Sequence, residues 1–280
     1  MKKLINLLLL ILLLSSCKKE TLDNDLSSSQ ENSLCQQNFS DLGTMADEVL
    51  RDKNISYKLQ NPFSLLSTCV TVDDTTGTKV NFEIDIKDTI TIDFGSTNCL
   101  CNDGRFRRGK INFIYTGLYR TPGTQIEIEP VNYFVNDNQV SGLKIITNQG
   151  SGSNYILRHT IEVFGTITKP DGTSIIWNCN RNRDWISGDT LFMNDDDAYS
   201  ITGEAWGQNS NGVTFTSEIT SSLIRKFDVN NPLCRRYFVE GKLEITPQNK
   251  PTRLIDFGQG TCDNIATVTI QNQSWTIQLN

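Results

Sequence analysis

Histidine is almost missing from this chain: His159 is the only one in 280 residues. Any Ser-His-Asp or Cys-His scheme would rest on that single imidazole, and a zinc centre would have to be built with almost no nitrogen ligands. There are eight cysteines but no Cys-x-x-Cys pair, the usual spacing of structural zinc and of dithiol redox sites. Basic residues are in deficit, 26 Lys and Arg against 32 Asp and Glu, so there is no general positive footprint for nucleic acid. Prolines number only seven against 19 glycines, which fits a chain of strands with glycine-built turns. Long apolar runs are absent apart from Leu4 to Leu14, about half of the roughly 20 residues a membrane-spanning helix needs.

That one run has the order of an export signal. Lys2 and Lys3 precede it, and Leu14-Ser15-Ser16-Cys17 follows. The tetrapeptide resembles the lipobox of bacterial lipoproteins. The resemblance implies a signal peptide over residues 1–16, cleavage before Cys17, and acylation of Cys17, with membrane lipid as the first partner. Loss of Lys2 and Lys3 would leave 24 basic residues against 32 acidic ones, a net charge of −8 (24 − 32). So acidic a body is repelled by anionic headgroups, and the anchor is the lipid itself, at roughly 0.8 kcal/mol per buried methylene. Cys17-Lys18-Lys19-Glu20 is similar to the lysine-plus-acid signal of surface-exposed Bacteroidota lipoproteins. The expected location is the outer membrane, facing either the periplasm or the exterior.

Residues 17–35 are polar, with few apolar side chains to bury, and read as a flexible tether behind the acylated cysteine. Residues 36–68 read as a short helical segment and linker: Leu42, Met45, Val49 and Leu50 share one helical face, and Ser40 is placed to cap it. From residue 69 to 280 the period is two. Val80, Phe82, Ile84 and Ile86 alternate with polar residues, as do Ile90/Ile92/Phe94, Ile111/Phe113/Tyr115, Ile126/Ile128, Val213/Phe215, Leu243/Ile245 and Trp275/Ile277/Leu279. Asn102-Asp103-Gly104, Lys169-Pro170-Asp171-Gly172-Thr173 and Asn211-Gly212 supply the turns. The expected fold class is all-β, an antiparallel meander or sandwich-like pair of sheets with one short N-terminal helix, in one body or two packed halves.

The sequence Ile92-Asp93-Phe94-Gly95-x-x-x-Cys99 returns as Ile255-Asp256-Phe257-Gly258-x-x-x-Cys262. Cys69 lies 30 residues before Cys99, and Cys234 lies 28 before Cys262. An exported chain meets an oxidising compartment, and the reading is one strand-turn-strand unit used twice, stapled by Cys69–Cys99 and by Cys234–Cys262. In the chain-entropy view each closure contributes roughly 3–4 kcal/mol. With Cys17 acylated, Cys35, Cys101 and Cys179 are an odd remainder, implying a free thiol or a bond to another molecule. The rival use of Cys99 and Cys101 in a metal or redox site lacks both the spacing and the imidazoles, so neither a metal nor another cofactor is expected.

Trp177-Asn178-Cys179-Asn180-Arg181-Asn182-Arg183-Asp184-Trp185 is the leading functional candidate. Trp177, Arg181, Arg183 and Trp185 are the residue types that stack on and hydrogen-bond a sugar, and Asp184 is a possible hydrolytic carboxylate, though hydrolysis needs a second placed acid. The competing reading makes both tryptophans core residues with the arginines over aromatic faces. Met193 to Tyr199, with three consecutive aspartates, has acid for a calcium loop but not the spacing of an EF-hand. Asp103 to Lys110 is a basic cluster that reads as the charged face of a hairpin.

The paired Ile-Asp-Phe-Gly-x-x-x-Cys units, Asp103-Gly104-Arg105 and Cys262-Asp263-Asn264 together resemble a group of uncharacterised Bacteroidota lipoproteins across most of residues 69–280. The resemblance implies a compartment and an all-β body, and no activity. The first expectation is therefore a non-enzymatic envelope lipoprotein that binds a ligand or an envelope protein or has a structural role. The second is a glycan-binding module, and the third a glycan hydrolase. No catalytic residue is assigned.

Overall fold

The computed structural model describes residues 22–50, 64–74, 87–188, 197–228, 231 and 233–279. Within these, helix α1 (Ser27–Leu50) is followed by strands β1 (Thr71–Asp74), β2 (Asp88–Asp93), β3 (Cys99–Leu100), β4 (Phe106–Tyr115), β5 (Gln125–Val135), β6 (Asn138–Gly152) and β7 (Tyr155–Thr168). Then come β8 (Ser174–Ser187), β9 (Ala198–Gln208), β10 (Thr214–Lys226), a single helical turn α2 (Leu233–Arg236), and β11 (Glu240–Pro247), β12 (Arg253–Gln259), β13 (Ile265–Ile270) and β14 (Gln273–Gln278). All the strands belong to one antiparallel sheet in sequence order, with the short β3 attached to β4. The all-β meander is as expected. Of the expected alternatives the meander is the one seen, as one continuous open sheet.

Alternation supplies one apolar face. Ile90, Ile92, Ile111, Phe113, Ile126, Ile128, Leu243, Ile245, Ile255 and Val268 are all buried, pointing to the face that receives α1. Turns form where glycine permits: Gly172 at the β7–β8 hairpin and Gly212 at the β9–β10 hairpin both have positive φ. The expected strand around Val80 to Ile86 lies outside the described residues.

The N-terminal region corrects the sequence reading. The described part of the predicted tether is not a free segment: α1 runs 24 residues from Ser27, and Ser40 is in its middle rather than at its cap. The Asp25 carboxylate accepts from Ser27 N at 2.9 Å ahead of the first turn. The helix is buried on nearly every side, including Ser28, Ser29, Glu31, Asn32, Gln36, Gln37, Asn38 and Asp41. The sheet offsets part of the penalty for these buried polar groups with polar partners of its own, although Ser29 Oγ and the Gln36 and Gln37 amides have none. Lys169 and Ser210 N bind Glu31. Trp177 Nε1 donates to Asn32 at 2.8 Å, Arg225 Nη1 to Ser40 Oγ at 2.6 Å, and Lys144 Nζ to Phe39 O at 2.6 Å. Ahead of the helix, Arg253 Nη2 meets Asp23 at 2.6 Å. These partners come from β6, β8, β10 and β12 and from hairpins between them, so the sheet must curl around the helix. Gly43 fits this arrangement, since a Cβ there would lie 2.9 Å from Lys144 Nζ.

A second inversion occurs at the basic cluster. Arg105 and Arg107 are buried while Phe106 between them is exposed. Arg107 makes a bidentate pair with Asp103, both contacts at 2.7 Å, and Arg105 reaches Asp103 at 2.8 Å. Both arginines also contact Asp41 of α1. Arg105 and Arg107 thus form an interior ion network fastening the helix, while Arg108 and Lys110 keep to the outer face as expected of the cluster, paired with Asp137 and Asp93.

The two repeated units match in detail. Asp93 and Asp256 each accept from the glycine two residues on (2.8 and 2.9 Å), and each pairs at 2.9 Å with a cross-strand lysine, Lys110 or Lys242. Each lysine follows a glycine, Gly109 or Gly241, whose positive φ and lack of Cβ let the next strand's backbone approach at a bulge. The lysine strand follows the aspartate strand in the first unit and precedes it in the second, so the shared element is a pair of strands and not a repeated chain order. Disulfides Cys69–Cys99 and Cys234–Cys262 are both present. Arg236 Nη1 donates to Asp103 O at 3.5 Å, bringing α2 against the β3–β4 turn across the curl.

Candidate functional site: a basic cleft beside the enclosed helix

Between α1 and strands β6 to β10 lies a cleft that opens to solvent on one side. The helix contributes Gln36, Ser40, Thr44 and Glu48, four positions at i, i+4 spacing, with Phe39 and Asp47 alongside. Opposite stands the inward phase of β8: Trp177, Cys179, Arg181 and Arg183. Lys144 comes from β6, Ile161 and Val163 from β7, Tyr199 and Ile201 from β9, and Arg225 and Lys226 from β10. Lys226 is exposed and stands on the solvent side.

The charge here opposes that of the whole chain. Five cationic side chains line the cleft against two acidic ones, Asp47 and Glu48. Asp47 faces Arg120 at 3.7 Å and also acts on Arg183 and Tyr199, while Glu48 accepts from Ser64 Oγ at 2.7 Å and from Leu65 N at 3.1 Å. Arg225 bonds Ser40, and Arg183 donates through Nη2 to Tyr119 OH at 2.6 Å. Arg181 differs. It is 7 % exposed, and its Nε and Nη2 have no hydrogen-bond partner. The Trp177 ring lies 5.6 Å from its guanidinium carbon, and Cys179 and Lys144 are close enough to interact with its charge. Both polar atoms of the Gln36 amide are likewise unmet, as is Arg183 Nε. Burial, with Arg183, Arg225 and Arg181 acting in the same direction, lowers the Lys144 ammonium to about 7. The cleft is an apolar-walled space into which hydrogen-bond donors converge.

Three of the four sequence candidates, Trp177, Arg181 and Arg183, therefore share one cavity. Trp185 is buried next to it, its ring covered by Arg120 at 4.2 Å. The Trp177 ring lies parallel to Phe39, with centroids 5.7 Å apart. Neither tryptophan offers the open face on which a sugar stacks. Asp184 is in the opposite strand phase and pairs twice with Arg158 at 2.6 Å, so it does not reach the cleft. His159 is buried against Tyr119, and burial with Arg183 takes its imidazole down to about 3. It is neutral, with Nε2 at 3.3 Å from Tyr119 O and Nδ1 without a hydrogen-bond partner.

Asp197 is buried and shares Arg120 with Asp47, contacting it at 3.1 Å. The two carboxylates flank a guanidinium rather than an open space for substrate, which does not make a hydrolytic acid pair. The rest of the acid-rich segment, 193–196, lies outside the described residues. Among the described residues no group of three His, Cys, Asp or Glu is placed to hold a metal ion. Cys35, Cys101 and Cys179 are all free and buried. The odd remainder is thus three separate thiols.

Lys144, Arg225 and Gln36 are the cleft residues that sequence reasoning missed. Their signal was present in part: Lys144 is in phase with the core residue Ile146, a period-two position where apolar side chains are usual. No family model matches the chain, nor does any curated protein or solved structure.

Proposed function

We propose that this chain is a lipid-anchored protein of the cell envelope whose role is non-catalytic binding of a small molecule in the cleft beside α1. The observation that carries the reading is Arg181: an arginine held in the interior with two donor nitrogens unmet and, among the described residues, no ion pair. Uncompensated buried charge is costly, and residues kept at such a cost cluster at sites where something else completes them. The anchor follows from Leu14 to Cys17 and its likeness to the lipobox, and the outer membrane from Lys18-Lys19-Glu20 and the likeness to Bacteroidota lipoproteins. The covered faces of Trp177 and Trp185 count against a glycan platform there, and the arginine between Asp47 and Asp197 counts against hydrolysis.

The test is retention. Purified chain and an Arg181→Met variant are each incubated with a total lipid and metabolite extract, desalted, and their bound molecules identified by mass spectrometry. The reading expects a class of molecules retained by the native chain and lost from the variant. Equal profiles from the two would overturn it. For the anchor, Cys17→Ser should move the protein from the membrane to the soluble fraction, and continued membrane attachment would refute acylation.

A further inference from the structure

Resting on that reading, we infer the ligand's chemical class: an amphipathic organic carboxylate, its head held by Arg181 and Gln36 with Lys144 alongside, and its apolar body lying along Phe39, Ile161, Val163 and Ile201.

The inventory of unmet groups gives the head. Arg181 offers Nε and Nη2, adjacent nitrogens of a planar fork that matches the two oxygens of a carboxylate. Gln36 Nε2 is a further unmet donor in the same cleft. The single unmet acceptor among these groups is Gln36 Oε1. A ligand completing this set must bring mainly acceptors, and the five-to-two excess of cations makes a negative charge the favourable one. A cationic or neutral head would leave the guanidinium unanswered.

The walls give the body. Phe39, Val163 and Ile201 are buried at the back of the cleft, and Ile161, Tyr199 and Phe227 line it half-buried. A bare inorganic anion would leave the half-buried walls at Ile161, Tyr199 and Phe227 facing water and would lose its own hydration in entering. An aliphatic chain or ring replaces that water and adds affinity in proportion to the apolar area covered. The unmet donors belong to side chains that are themselves almost fully enclosed, so the head sits inside and the body extends toward the mouth at Lys226.

The experiment is isothermal titration of the full chain carrying Cys17→Ser, which removes the acylation site and the need for detergent. The probes are decanoate, decanol, decyltrimethylammonium and acetate. Decanoate should bind at one site, at least about tenfold tighter than the other three. Arg181→Met should weaken it by about tenfold or more, Arg181→Lys should give partial recovery, and Arg158→Met on the outer face should change nothing. Should decanol or decyltrimethylammonium bind as tightly as decanoate, the carboxylate class is wrong while a binding cleft remains; should Arg181→Met bind decanoate unchanged, the Arg181 site and the binding function that rests on it both fall. Acetate binding as tightly as decanoate would refute the amphipathic body alone. If none of the four binds below about 1 mM, both this inference and the binding function beneath it fall.

Discussion

Replacing Arg181 with methionine should make the free protein more stable. The side chain is 7 % exposed, and its Nε and Nη2 have no acceptor. A buried, unmet donor on a charged group costs at least about 1 kcal/mol, so two cost about 2 kcal/mol even at the low end of the range. The low end applies because the cleft opens to solvent on one side. The Trp177 ring at 5.6 Å returns about 0.5 kcal/mol as a cation–π contact. Methionine retains most of the apolar stem and adds no charge. The net expectation is a gain of about 1.5 kcal/mol, which for a body of this size is a rise in Tm of about 3–6 °C. Differential scanning calorimetry of ligand-free protein measures it, with Arg158→Met as control. Arg158 pairs with Asp184 on the outer face, so that control should lose up to about 1 kcal/mol. A fall in the Tm of Arg181→Met would show that the guanidinium is already satisfied and would remove the reason for reading the cleft as a binding site.

Lys144 makes a pH-dependent prediction. Its ammonium sits near pH 7 in the fold, below the ordinary 10.5 of an unfolded lysine, so between those values the unfolded state binds more protons and stability rises with pH. Lys144→Met should therefore be most advantageous below pH 7 and lose its advantage as pH approaches about 10; urea melts at several pH values should show the difference shrinking, and a constant difference would contradict the buried, depressed ammonium. Asp41→Ala takes from Arg105 and Arg107 the carboxylate supplied by α1 and should destabilise by about 3 kcal/mol in equilibrium unfolding; a loss below about 0.5 kcal/mol would show that the helix is not held there. Peptide mapping without reduction should link Cys69 to Cys99 and Cys234 to Cys262, while Cys35, Cys101 and Cys179 react with thiol reagents only after unfolding; any other linkage would undo the paired-unit description.

The strands were legible because one face of each meets a core and the other meets water, which writes a period of two into Ile90/Ile92/Phe94 and Leu243/Ile245. The disulfides were legible because Ile-Asp-Phe-Gly-x-x-x-Cys occurs twice with an upstream cysteine at nearly the same distance. The helix was not. A helix packed on a flat sheet carries an apolar stripe, whereas α1 is wrapped, and its Glu31, Asn32 and Asp41 meet Lys169, Trp177 and Arg105 that lie far away in the sequence. With those partners invisible, Ser27 to Leu34 resembles solvated tether. The same long-range pairing inverted the expected faces at Arg105-Phe106-Arg107. In the cleft, Trp177, Cys179, Arg181, Arg183 and Trp185 at strict alternation put the two arginines in phase with two core tryptophans. That phase was the readable sign that they point inward, toward a helix whose presence the sequence concealed.

Co-crystallisation of the chain with decanoate tests the central claim most directly. The account predicts density in the cleft beside α1, with the carboxylate within hydrogen-bond distance of Arg181 Nε and Nη2 and the chain running past Phe39 toward Lys226. Ordered water in that space at saturating decanoate, or a carboxylate bound away from Arg181, would contradict it.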